Sequence, residues 1–112
     1  MQEKPVLVTG ATGYVGGRLV PLLLKAGYRV RALGRSLGKL RSRPWGHHPL
    51  IELAQGVVMD GDSLVQAAQG CWAAFYLVHS MTAAARDFAA ADRQAAQNMV
   101  RAAAAAGLDR II

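Results

Sequence analysis

The run Val8-Thr9-Gly10-Ala11-Thr12-Gly13-Tyr14-Val15-Gly16-Gly17 decides the fold. It is entered from Val6-Leu7-Val8, a short apolar and β-branched stretch that reads as a strand. It opens onto a helix from about Tyr14 to Ala26, with Val15, Leu19, Leu22 and Leu23 at helical spacing and Gly27 as its stop. Strand, glycine turn and helix in register are the setting in which three glycines do three separate things. Gly10 permits the tight turn out of the strand. Gly13 lets backbone approach a pyrophosphate with no Cβ in the way, and Gly16 lets helix and sheet pack closely. Amide N–H groups at the helix start then face the phosphates, helped by the positive end of the helix dipole. Pro21 sits inside that helix and removes one backbone donor, which predicts a local bend.

Downstream the pattern alternates. Arg29 to Leu33 reads as a second strand, and Ser36 is placed to cap a short helix carrying Leu37 and Leu40. A loop from Arg43 to Pro49 leads into a third strand near Leu50–Ala54. Asp62 or Ser63 caps a helix that runs to Gln69 and stops at Gly70. Ala73-Ala74-Phe75-Tyr76-Leu77-Val78 is a continuous apolar run suited to a strand buried on both faces. A long helix from roughly Ala84 to Ala106 follows, its apolar stripe formed by Phe88, Ala91, Ala95, Met99 and Ala103. Gly107 ends it, and Arg110-Ile111-Ile112 looks like a strand only begun.

Alternating units at this spacing define an α/β, Rossmann-type doubly wound parallel sheet of order 3-2-1-4, with a fifth strand only started. A fourth strand left as a long apolar edge is an aggregation hazard. Residues 1–112 therefore read as the N-terminal portion of a nucleotide-binding domain, truncated on its C-terminal side. Strand four then calls for a second copy of the chain or a missing C-terminal segment to cover its edge.

Composition narrows the function. With 112 residues, 53% apolar and 18% charged, the chain is not disordered. The lone Cys71 excludes an internal disulfide framework and suits a reducing, cytoplasmic compartment. The longest apolar runs fall far short of the roughly 20 residues that span a bilayer. The net charge of +6 is uneven: nine of the 13 basic residues lie between Lys4 and Arg43, and no acidic residue falls between Lys4 and Ile51. A nucleic acid would want aromatics interleaved with those charges. Arg35, Lys39, Arg41 and Arg43 cluster instead beside the glycine turn, which fits the rim of a cofactor pocket better.

The end of the second strand discriminates between cofactors. A site for NAD usually carries a carboxylate about 20 residues after the glycines to hold the ribose 2′-hydroxyl, whereas arginine suits a 2′-phosphate. Here Gly34-Arg35-Ser36 occupies that place. A guanidinium grips phosphate through two parallel hydrogen bonds, and the Ser36 hydroxyl adds another. NADP(H) is favoured over NAD(H), with Arg31 a weaker candidate and Lys39 contributing at longer range. A phosphate loop for nucleoside triphosphates is excluded, because the one Gly-Lys pair, Gly38-Lys39, is followed by Leu40 and has Leu33 where the first glycine is required.

These glycines, together with Phe75-Tyr76-Leu77-Val78-His79-Ser80-Met81, Asp92-Arg93-Gln94-Ala95-Ala96-Gln97-Asn98 and the ending Gly107-Leu108-Asp109-Arg110-Ile111-Ile112, resemble the atypical and extended short-chain dehydrogenase/reductase superfamily. NmrA-like proteins and relatives of the NAD-dependent epimerase/dehydratases belong to that group. The resemblance implies cofactor contacts at Gly10, Thr12, Gly13, Tyr14, Val15 and Gly16, then at Arg35 and Ser36. Adenine would lie against Val57 and Val58, within the run Gly56-Val57-Val58 where the family typically has Gly-Asp followed by an aliphatic residue; Asp60 could supply the polar contact that Val57 lacks. Val78, His79 and Ser80 would line the ribose and nicotinamide side. The superfamily's catalytic Tyr-x-x-x-Lys is not found, since Tyr14, Tyr28 and Tyr76 are followed four residues on by Arg18, Ala32 and Ser80. The implied activity is that of an NADP(H)-dependent oxidoreductase, or a nucleotide-sugar epimerase or dehydratase relative, acting on an unidentified small molecule. The alternative is a non-enzymatic, NAD(P)-sensing regulator of NmrA type. No metal site is expected: His47-His48 has no further ligand nearby and reads as a solvated loop.

Overall fold

A computed structural model describes residues 3–77 and 85–112, with the side chains of 85–88 outside that description. Five parallel strands form one sheet in the order β3-β2-β1-β4-β5. They are β1 (Val6–Val8), β2 (Val30–Gly34), β3 (Ile51–Gln55), β4 (Ala73–Phe75) and β5 (Arg110–Ile111). The helices between them are α1 (Tyr14–Lys25), α2 (Leu37–Arg41), α3 (Gly61–Ala68) and α4 (Ala85–Ala106). The doubly wound reading of the sequence is thereby correct in element order and in strand order.

Alternation along each strand builds the two cores. Leu7, Leu33 and Ala74 point to one face, where they pack with Leu64, Ala68, Met99 and Ala102 of α3 and α4. Val8, Val30 and Ala32 point to the other, against Val20 and Leu24 of α1, Leu40 of α2, and Trp45. Cys71 lies buried in the first core, and burial pushes its thiol above the ordinary value of 9.0, the nearby Arg31 opposing this only in part. It stays a protonated, inert filler. Trp72 is half-buried and stacks on Tyr28 with ring centroids 6.4 Å apart.

Three details differ from the sequence reading. The cap of α3 is Asp60, whose Oδ1 accepts from the amides of Asp62 and Ser63 at 3.1 and 3.3 Å. Neither Asp62 nor Ser63 caps the helix, because Ser63 Oγ is turned back onto the carbonyls of Val57 and Asp60. Strand β4 ends at Phe75, and Tyr76 and Leu77 leave the ladder. The exposed sheet edge is β5 and not β4. Ile112 and Tyr76 exchange bonds with β4 and its extension, Ile112 N donating to the Ala74 carbonyl and Tyr76 N to the Ile112 carbonyl, each at 2.8 Å. Helix α1 runs unbroken through Pro21. Among the described residues, no helix is long and apolar enough to cross a membrane.

Candidate functional site

The carboxyl ends of β1, β2, β3 and β4 open onto one cleft of ≈ 420 Å³, within the ~300–1,000 Å³ usual for small-molecule sites. Its position is where the strand order reverses, between β1 and β4, the place at which open α/β sheets take ligands. Gly10, Thr12 and Gly13 form one wall. Gly34, Arg35, Ser36 and Lys39 form the second, Gly56 to Met59 the third, and Leu77 closes the side of β4.

The glycine turn is built as three different constraints. Gly10 has φ +64°, and a Cβ there would overlap the Leu77 carbonyl oxygen. A Cβ on Gly16 would overlap the Gly10 carbonyl oxygen, so this glycine sets how closely α1 approaches the turn. Gly13 differs, since its φ of −77° suits any residue and a Cβ would meet only the Gly10 oxygen, at 3.2 Å. The fold does not demand a glycine there, yet its bare backbone faces the cleft. Gly13 is also the N-cap of α1 and has no side-chain cap, and the first turn holds no acidic residue. Among the described residues no side chain caps the first amides of this twelve-residue helix.

Thr9 fixes the floor. Its hydroxyl donates to the Phe75 carbonyl at 3.2 Å and accepts from the Leu77 amide at 3.0 Å, sewing the end of β1 to the end of β4. Buried completely, the hydroxyl is thereby satisfied in both senses.

The second wall carries the charge. Gln55 Nε2 donates to the Arg35 carbonyl at 3.1 Å, steadying the backbone from β3. Ser36 caps α2 by accepting from the Lys39 amide at 3.2 Å, and its hydroxyl proton remains free to donate. Among the described residues nothing pairs with the Arg35 guanidinium or the Lys39 ammonium. Three other arginines are engaged. Arg31 binds Glu52 at 2.8 Å and the carbonyls of Ala67 and Gln69 at the end of α3, which removes it as a cofactor candidate. Arg18 lies 4.4 Å from the Tyr14 ring centroid. Arg43, read from the sequence as pocket rim, reaches instead to the Thr12 carbonyl at 2.7 Å.

The remaining candidates divide. Val57 and Val58 line the cleft, but the Val57 amide donates to Ser63 Oγ and the Val58 carbonyl accepts from Asn98 Nδ2 at 2.7 Å. Asp60 is occupied as the α3 cap and is not part of the lining. Tyr14 and Val15 stand outside the cleft on the exposed side of α1, and Gly16 lies behind the turn. Val78, His79 and Ser80 lie outside the described residues. Leu33 and Leu77, at or just past the ends of β2 and β4, and Met59, in the turn between β3 and α3, complete the lining without having been singled out. Of the other sequence features, His48 Nδ1 accepts from the Leu50 amide at 3.0 Å, a turn contact. Burial and then Asp92 raise the phenol of Tyr76 from its ordinary 10.0, away from the lowered value that a tyrosine acid/base needs.

A glycine turn at the carboxyl end of β1, uncapped helix amides, and a basic wall at the end of β2 define the dinucleotide-binding class of Rossmann sheet. Within it, the chain belongs to the NmrA-like family, whose model matches residues 2–112. It is 38% identical over 109 residues to a provisionally named dihydroflavonol 4-reductase of Synechocystis sp., a match covering 94% of this chain and 30% of that protein. Among solved structures, the Citrobacter sp. triphenylmethane reductase complexed with NADP(H) superposes with a TM-score of 0.76 at 25% identity, covering 96% of this chain and 35% of that one. A double mutant of the Streptomyces venezuelae dTDP-glucose 4,6-dehydratase with NAD bound shares the fold, with a TM-score of 0.79 at 24% identity over 99% of this chain and 38% of the other. The chain thus spans about a third of the length of the relatives it matches. These relatives place it in the NAD(P)-binding short-chain dehydrogenase/reductase and epimerase superfamily.

Proposed function

We propose that residues 1–112 form the N-terminal, cofactor-binding portion of a cytoplasmic NADP(H)-dependent oxidoreductase. The observation that carries this reading is the unpaired Arg35 guanidinium, beside Ser36 and Lys39, on a cleft wall that contains no carboxylate among the described residues. The same place in an NAD site would hold an acidic group for the ribose hydroxyls. The 2′-phosphate would lie between Arg35 and the Ser36 hydroxyl, with Lys39 adding charge. The pyrophosphate would lie over Gly13 and the first amides of α1, and adenine between Leu33 and the apolar Val57–Met59 wall. When bound, the nicotinamide would supply or accept hydride, and this chain's residues bind and orient it.

The discriminating experiment is a titration of NADPH and NADH against wild-type protein and Arg35→Ala. A charged hydrogen-bond pair of this kind contributes about 1.5–3 kcal/mol, so Arg35→Ala should weaken NADPH at least about tenfold while leaving NADH nearly unchanged. An equal loss for both would sink the 2′-phosphate role. A second reading, a non-enzymatic NADP(H)-sensing regulator, is favoured by the NmrA-like family match itself. NADPH consumption by the full-length gene product in the presence of a carbonyl panel separates the two: turnover supports the oxidoreductase, and binding without turnover supports the sensor.

A further inference from the structure

The peptide group joining Thr12 to Gly13 is held at both ends. Its N–H, on Gly13, donates to the Gly10 carbonyl at 3.0 Å. Its oxygen, on Thr12, accepts from the Arg43 guanidinium at 2.7 Å, across 31 residues of sequence. Arg43 is not part of the cleft wall; it lines the groove behind, together with Gly17, Pro21 and Trp45. Its own backbone is fixed from three directions. Trp45 is buried in the core beside α1, the Gly46 amide donates to the Arg43 carbonyl at 2.8 Å, and a Cβ on Gly46 would come within 2.7 Å of the Leu40 carbonyl oxygen. The turn from Arg43 to Gly46 is therefore a rigid mount, and the guanidinium is its tip.

From this geometry we infer that Arg43 is a positioning residue for the phosphate-facing turn, acting through the Thr12 carbonyl. Were that peptide to rotate, the Thr12 oxygen would turn toward the cleft and present a partial negative charge to the anion. The amides of Tyr14 and Val15 would lose their common direction with it. The part-buried charge-assisted bond holds the oxygen back and aims the amides forward. The inference rests on the dinucleotide reading above and adds to it a residue on the far side of the turn that touches no ligand.

A ligand containing a pyrophosphate should depend on Arg43, and one lacking it should not. The purified chain, as wild type, Arg43→Met and Arg43→Lys, is titrated with NADPH, NADH and adenosine 2′-monophosphate, and the far-ultraviolet dichroism of each is compared. Arg43→Met should weaken both dinucleotides about tenfold and alter the monophosphate less than about twofold. Arg43→Lys, which keeps a cationic donor, should restore part of the loss, and it carries the comparison if Arg43→Met does not fold. Parallel loss of all three ligands, or unchanged dinucleotide binding, overturns the role of Arg43 while the cofactor reading stands. Wild-type protein that binds neither dinucleotide overturns the cofactor reading, and the role of Arg43 with it.

Discussion

Gly10 and Gly17 stand seven residues apart in the same glycine-rich stretch and answer to opposite demands. At Gly10 the left-handed backbone costs an L-residue roughly 1–2 kcal/mol, and overlap with the Leu77 carbonyl adds to it. Gly17 lies inside α1, where a Cβ would make ordinary contact with the Ala11 carbonyl oxygen at 3.7 Å. Gly10→Ala should lower stability by at least about 2 kcal/mol in urea titrations, whereas Gly17→Ala should raise it by about 0.5–1 kcal/mol. Similar effects at both positions would contradict the turn geometry. The left-handed turn at Gly10 and the role of Gly16 could be read from the sequence because each acts within a few residues of chain, unlike the close approach of Leu77 to Gly10. The roles of Arg31 and Arg43 could not, since nothing local distinguishes an arginine that meets a carbonyl 31 or 36 residues away from one in solvent.

At the scale of elements, the caps decide where the walls of the cleft sit. Asp60 starts α3, and Ser63 in the first turn ties back to Val57 through both its amide and its carbonyl. The adenine-side wall is therefore an extension of the α3 cap. Asp60→Ala should cost about 1 kcal/mol of stability, seen as a lowered thermal midpoint, and should weaken binding of adenosine 2′-monophosphate. A melt unchanged from wild type would contradict the cap. Three oxygen-bearing side chains, Asp60, Asp62 and Ser63, suit that position equally in sequence, and only backbone direction chooses among them. Helix α4 shows a similar limit. Among its described side chains the buried ones are Ala95, Asn98, Met99 and Ala102, whereas Ala91 and Ala103 of the expected stripe are only half-buried and the Phe88 side chain lies outside the described residues. Apolar periodicity does not register the buried Asn98, which accepts from Gln94 and donates to Val58.

The whole molecule has a radius of gyration of 13.4 Å, close to the ~13 Å of an ordinary compact domain of this length. Its weakest margin is the two-residue β5, whose Arg110 and Ile111 are exposed while they cover β4. Removing residues 109–112 would uncover backbone groups of Trp72, Ala74 and Tyr76 along the β4 edge. That variant should form higher-order species by light scattering at concentrations where the parent chain does not, an outcome expected of a bare apolar edge. Unchanged scattering would show that β4 needs no neighbour. The sheet order has one further consequence, in time rather than space. Of these five strands β1 is synthesised first, yet it lies at the centre of the sheet, and Val6 pairs with Ala73 only after the intervening chain exists. No hairpin is available to shelter it, because every pairing in the sheet is parallel. Folding must close long loops before its central contacts form, so β1 can pair with β2 early while its other side stays open until β4 has been made.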